Sequence, residues 1–235
     1  MFYFFDNFNL LYLIGLVFLF KIVAMTESVK NLHWRYATKK FDPLKKLSSE
    51  KIEILKEAFN LTATSYGLQP IRLLVIENQD IKNKLVEYSM YQKQVRDASH
   101  LLVFCVVTEM DATYIRNYFE LVEQKRGTSK TILAPFRDIL IDEFKQKNQE
   151  QIFNWAKNQA YLAMGNLLTV CAQEKIDSCP IEGFEPEKYD AFLNLNEKGL
   201  SSVLVMPVGY RANDDFFADF KKVRKEVSET VIELK

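Results

Sequence analysis

The sequence predicts an α+β domain in which helices alternate with three or four short strands around one small central sheet, mixed or antiparallel. Three stretches carry that expectation. Leu101-Leu-Val-Phe-Cys-Val-Val107 is an unbroken apolar run of strand length, the pattern of a strand covered on both faces. Ser201 to Val208 is a second β-rich run, ended by Gly209. Ile152 to Glu174 is a long segment carrying Trp155, Ala156, Ala160, Leu162, Ala163, Leu167, Leu168 and Val170. In its C-terminal half the apolar residues run almost all the way round, which predicts a buried helix. Ala160, Ala163 and Gly165 are small enough there to admit a second backbone.

Residues 1–24 differ in character from the rest of the chain. Leu10 to Phe20 is entirely apolar apart from its glycine, between Asp6 and Lys21. A spanning helix needs about twenty apolar residues, a length reached here only by counting Phe8 to Ala24. The basic start and small-residue cleavage site of a signal peptide are missing. The stretch reads as an anchor, as a packed leader helix, or as an extension upstream of a start at Met25. The third reading is favoured, because ordinary soluble-helix content begins straight after Met25. As an anchor it would leave Lys21, Lys30 and Arg35 on the cytoplasmic side. Residues 25–235 form the domain.

Within that domain Val29 to Asp42 reads as a short amphipathic helix running into a loop that Pro43 closes. Ser48 or Ser49 caps a second helix that continues through Phe59. Thr62 to Pro70 is a polar loop, and Ile71 to Ile76 a strand. Asp80 to Tyr88 is helical, with part of Gln92 to Ala98. Asp111 to Gln124 is a helix, Gly127 to Thr131 a break, and Phe136 to Lys147 a polar helix. This middle region, charged on most faces, reads as a mobile excursion from the core. Asp177 to Ile181 is a short strand and Glu185 to Leu193 a small helix. The tail Glu226 to Leu234 alternates polar and apolar like a strand without a hairpin partner, suited to a neighbouring subunit's sheet.

Composition narrows the chemistry. Lys plus Arg equals Asp plus Glu at 31 each, so no global field draws the chain to nucleic acid, and none is expected as a partner. Cys105, Cys171 and Cys179 are an odd set without a CxxC, as in a reduced, cytoplasmic protein. His33 and His100 are the only histidines, too few for an ordinary zinc or iron site, and no metal is expected. The glycines beyond residue 24 are 67, 127, 165, 183, 199 and 209, and neither GxGxxG nor GxxxxGK[ST] passes through them. A phosphate would therefore be held by side chains. Arg35 and Lys39, four apart at a helix end, can converge on one anion. Lys222 and Arg224, two apart on an extended stretch, share a side. Pro180 and Gly183 bend the chain around Glu182, either as a routine helix-to-strand turn or as a loop aiming N–H groups at a ligand.

Several pieces then come in a telling order. They are Arg35-Tyr-Ala-Thr-Lys39 with Phe41-Asp42, Leu68-Gln69-Pro70, Arg96-Asp-Ala-Ser-His100, Pro180-Ile-Glu-Gly183-Phe184, Pro207-Val-Gly209 and Lys222-Val-Arg224. In this order the sequence, from Met25 onward, resembles the nitroreductase family, in particular its oxygen-insensitive NAD(P)H nitroreductase and dihydropteridine reductase subgroup. The resemblance implies an intertwined homodimer with FMN at the dimer interface and the C-terminal strand exchanged between subunits. It implies NADH or NADPH as cosubstrate and a small-molecule acceptor, a nitroaromatic, quinone or pteridine.

By motif position Arg35, Tyr36, Ala37 and Lys39 would contact the flavin, with Lys39 at the N1/O2 edge where negative charge gathers on reduction. Lys222 and Arg224 would clamp the phosphate with help from Arg35. Pro180, Ile181, Glu182 and Gly183 would lie over the ring near N5, Glu182 through its backbone N–H. Thr64, Ser65 and Gln69 would face the flavin edge from the other subunit. No residue is expected as acid or base. Tyr36-Ala37 stands where the family usually has His-Ser, and Tyr91, beside Gln92 and Gln94, where it usually has an Asn on the pyrimidine edge. Alternatives to the NAD(P)H oxidoreductase are a flavin-binding protein without turnover, tethered or structural, and a flavin reductase that releases its FMN.

Overall fold

The computed structural model describes residues 25–235, so all three readings of the apolar leader lie outside the described residues. Four strands, β1 (Ile71–Ile76), β2 (His100–Val107), β3 (Asp177–Ser178) and β4 (Leu200–Gly209), form one antiparallel sheet in the order β1-β2-β4-β3. Every residue of β2 is buried, as its unbroken apolar run predicts. Alternation sends Leu101, Val103, Cys105 and Val107 into one core and Leu102, Phe104 and Val106 into a second on the opposite face. Val203 is the extra residue of a bulge in β4 opposite Phe104 and Cys105.

Around the sheet lie α1 (Glu27–Trp34), α2 (Ser49–Asn60), α3 (Gln79–Leu85), α4 (Gln94–Asp97), α5 (Ala112–Arg126), α6 (Lys130–Lys145), α7 (Gln149–Gln173), α8 (Pro186–Phe192) and α9 (Val227–Thr230). The longest, α7, opens on a capping box in which Asn148 and Gln151 satisfy each other's backbone N–H. It packs Ala156, Ala160, Ala163, Leu167 and Cys171 against Leu102, Phe104, Leu204 and Met206. Each large apolar side chain fully buried in this layer contributes about 1.5–3 kcal/mol.

The structure departs from the sequence expectations at five places. The first helix stops at Trp34 and not near Asp42, because Arg35 is already extended and Ala37 bridges Ser178. The middle region is not a loose excursion: Ile115 and Phe119 of α5 and Leu140 and Phe144 of α6 are core residues, and Pro135 lies inside α6 instead of preceding it. The strand expected through Ile181 ends at Ser178, since Pro180 has no N–H to give the ladder, and Ile181 returns only as an isolated bridge to Val205. The tail is no strand in the single chain: α9 is one turn, and Val231, Ile232 and Leu234 are exposed.

The fifth departure concerns α7, which is not covered all the way round. Asn154, Asn158, Tyr161, Leu162 and Gly165 form an exposed stripe, with Leu162 at 56% exposure. A Cβ added at Gly165 would meet nothing within 4 Å, so packing inside the chain does not require glycine there. Among the described residues no helix is long and apolar enough to cross a membrane.

Candidate anion-binding site

The site begins where the chain leaves α1. Residues 35–42 run beside the end of the sheet: Thr38 N–H donates to Ser178 O (3.2 Å), Asp42 N–H to Tyr210 O (2.8 Å) and Ala212 N–H to Lys40 O (2.9 Å). The helical period of the sequence puts Arg35 and Lys39 on a helix end, but the backbone between them is extended. Even spacing in extended backbone also puts side chains on one side, so a shared side for the pair would rest on a different geometry.

The far end of the chain closes on this segment. Lys222 Nζ donates to the Arg35 carbonyl. Burial, with Arg224's charge next, pulls the Arg35 guanidinium below its ordinary pKa. Burial followed by Arg35, Arg224 and Arg211 does the same to Lys222. Three of these cations, Arg35, Lys222 and Arg224, have no carboxylate partner among the described residues, and Arg35 Nε is buried without any acceptor. Lys39 belongs to the same neighbourhood, because its charge and that of Arg35 act on the buried Cys179 thiol, whose pKa burial raises.

Two acidic residues organise the cluster, and no sequence pattern marks either. Asp177 accepts from Arg211 Nε (2.7 Å) and Arg211 N–H (2.8 Å), while the guanidinium carbon lies 4.5 Å from the ring centroids of both Trp34 and Tyr36. Asp215 accepts on Oδ2 from Tyr36 OH (2.8 Å), Lys39 N–H (2.9 Å) and Lys40 N–H (3.0 Å). Burial pushes its pKa up, but the hydrogen bonds from Tyr36 and then Lys40 and Lys39 outweigh that and hold it below the usual carboxylate range. The only sequence signal for Asp215 is its position between Gly209 and Lys222 in a stretch with no apolar period.

The loop Pro180–Gly183 leaves the sheet on the same side. Ile181 and Val205 exchange both backbone hydrogen bonds (2.9 and 3.1 Å). The exposed Glu182 carboxylate accepts from Tyr161 OH (2.8 Å), and Gly183 O accepts from Gln92 Nε2 (2.8 Å). Among the described residues neither the Glu182 nor the Gly183 N–H has an acceptor. Tyr91, beside this loop, is exposed and follows Met90 in a left-handed pair (φ 57° and 52°), a backbone state that costs β-carbon-bearing residues energy. One N–H of the Gln92 amide is committed to Gly183 O.

Thr64, Ser65 and Gln69 are not brought to this cluster. Ser65 N–H donates to Gln159 Oε1 (2.9 Å), Gln69 N–H to Thr64 Oγ1 (3.1 Å) and Gln69 Nε2 to Asn60 O (3.0 Å). Gln159 and Tyr161 lie two apart on α7, about 200° around the helix. The 64–69 loop therefore sits across α7 from Glu182. Among the described residues no cluster of His, Cys, Asp and Glu could hold a metal ion.

The fold is α+β, a small antiparallel sheet with helices on both faces, and at one end it carries cations without a carboxylate partner and N–H groups without an acceptor among the described residues. Its family is shown by comparison. The Nitroreductase family model matches residues 32–210, and the chain belongs to that family. It is 32% identical to the oxygen-insensitive NAD(P)H nitroreductase of Salmonella typhimurium, over 85% of this chain and 96% of the other. It is 30% identical to the major NAD(P)H-flavin oxidoreductase of Aliivibrio fischeri, over 86% of this chain and 96% of the other. The fold is shared with a protein of Exiguobacterium sibiricum assigned as a nitroreductase and solved in complex with FMN, at a TM-score of 0.75 and 19% identity, covering 89% and 98% of the two chains.

Proposed function

We propose that this protein is an FMN-dependent NAD(P)H oxidoreductase that works as a homodimer on a nitroaromatic, quinone or pteridine acceptor. One observation carries the reading: Arg35, Lys222 and Arg224 meet without a carboxylate among the described residues, which also leave Arg35 Nε buried and unpartnered. A phosphate fits that donor set, since each charge-assisted hydrogen bond contributes about 1.5–3 kcal/mol and relieves the repulsion among the cations.

Bound FMN would supply the redox chemistry, a ring that accepts a hydride from a nicotinamide donor and returns it to an acceptor. The chain's own groups bind and orient. Arg35, Lys222 and Arg224 would hold the phosphate, with Tyr36 and Ala37 lining the approach. Lys39 would place positive charge against the pyrimidine edge. Ile181 would anchor the Pro180–Gly183 loop to β4 while Glu182 and Gly183 present their free N–H groups to the ring. Tyr91 would border the ring where the loop ends. Thr64, Ser65 and Gln69 would come from the second subunit, as their place across α7 favours. The exposed stripe of α7 is the surface that subunit would cover, and the exposed tail would cross to its sheet.

The purified protein should be yellow and its flavin bands should bleach anaerobically with NADPH or NADH, then recover on adding a quinone or nitroaromatic. A colourless chain that gains no flavin on incubation with FMN would end the proposal. A yellow one that neither nucleotide bleaches would instead support a binding protein without turnover.

A further inference from the structure

The two cation pairs of the site lie 183 residues or more apart in sequence, and the sheet reaches only the first of them, through Ala37 and Thr38 at Ser178. Arg35 and Lys39 follow α1, whereas Lys222 and Arg224 follow the short turn Phe216–Asp219 in a stretch without regular structure. One side chain is hydrogen-bonded to both segments. Asp215 is 4% exposed. Its Oδ2 takes Tyr36 OH, Lys39 N–H and Lys40 N–H, and its Oδ1 takes Phe217 N–H (3.3 Å), the donor that starts the turn leading to Lys222. Asp214 next to it pairs with Lys40 on the surface, where an ion pair fixes little.

We propose that Asp215 is a positioning residue that sets the width of the phosphate site. By gathering three donors of the 36–40 segment onto one oxygen it holds Arg35 and Lys39 at a fixed distance from Lys222 and Arg224. This inference rests on the FMN reading above. Without the carboxylate, two buried-side N–H groups and a phenol lose their acceptor, and like charges on the two segments are free to move apart. The consequence is selective: a site of the wrong width loses the phosphate end of the ligand and leaves the ring end in place. Asparagine can present its oxygen to the same three donors but sets its NH2 against Phe217 N–H, so it should restore the width in part; alanine cannot.

The test is titration of the flavin-stripped full-length protein with FMN and with riboflavin, which lacks the phosphate, followed by fluorescence, alongside the melting temperature of each variant. For Asp215→Ala we expect the FMN dissociation constant to rise at least about tenfold, about 1.4 kcal/mol, with riboflavin changed less than about threefold and Asp215→Asn between wild type and Asp215→Ala for FMN. An Asp215→Ala protein that binds FMN as wild type does overturns the assignment. So does one that loses FMN and riboflavin in equal proportion as its melting temperature falls, which is general loosening. If Asp215→Ala does not fold, Tyr36→Phe decides, since it removes one donor only. A rise in the FMN constant of about threefold or more with riboflavin unchanged supports the proposal, and an unchanged FMN constant overturns it. A wild-type protein that binds no FMN overturns the functional reading and this inference together, a result distinct from selective failure of the variants.

Discussion

The two faces of α7 are finished to different degrees. Toward the sheet, Ala156, Ala160, Ala163, Leu167 and Cys171 are fully covered within the chain. Away from it, Tyr161, Leu162 and Gly165 stand open, and Tyr161 hydrogen-bonds the Glu182 carboxylate at the rim of the candidate site. The same contrast separates the two groups of predicted flavin contacts. Arg35, Lys39, Lys222 and Arg224 are assembled inside one chain, whereas Thr64, Ser65 and Gln69 face the other way across the helix. On the proposed function half of the site would be internal, and the other half would depend on a second copy meeting the exposed stripe.

The sharpest way to break that contrast is to put a charge into the open stripe. Leu162→Asp should raise the dimer dissociation constant at least about a hundredfold, about 2.7 kcal/mol, and reduce FMN retention with it. Sedimentation with detection at the flavin band reads both, and an unaltered flavin-bearing dimer would show that the stripe is not the interface. Removing a cation acts only on the internal half. Arg224→Ala should weaken FMN about ten- to a hundredfold, matching the loss of one charge-assisted hydrogen bond, while the subunits stay associated. Equilibrium dialysis against FMN would expose the opposite outcome.

Lys39→Ala is predicted to keep FMN but slow reduction by NAD(P)H about tenfold, equivalent to about 1.4 kcal/mol of barrier, as stopped-flow bleaching would reveal. Unchanged rates would place Lys39 away from the ring.

How much of this was legible depended on whether the signal was local. β2 announced itself, because a strand buried on both faces needs an unbroken apolar run. The six ordered motifs located the cations, but not the extended backbone that aligns Arg35 with Lys39, since Val29 to Asp42 carries a helical period past the real end at Trp34. Asp177, Arg211 and Asp215 were invisible in the sequence. Their roles come from contacts across 34 to 179 residues, and an isolated acidic residue in a polar stretch has no pattern to betray it. The middle region misled for a related reason: charged residues are interspersed along α5 and α6, yet the apolar residues on their inner faces are the ones that pack.

A further expectation lies outside the site. Lys82 is fully buried, donating to Ala98 O (2.7 Å) and Ser99 O (3.0 Å), and burial, with Lys46's charge second, pulls its pKa down to about 8. Between that value and its ordinary 10.5 the unfolded chain binds more protons than the folded one. Stability from this group therefore rises as pH climbs through that window, by at most about 1.4 kcal/mol per pH unit. Denaturant titrations of wild type and Lys82→Met at two pH values inside the window should diverge in that direction. Parallel curves would mean that Lys82 does not titrate there.

The central claim is that cations from both ends of the chain hold a phosphate, and the wild-type protein alone can test it. Flavin-stripped protein titrated with FMN and with riboflavin should prefer FMN by at least about a hundredfold, close to 2.7 kcal/mol. Equal affinity for the two flavins would contradict it.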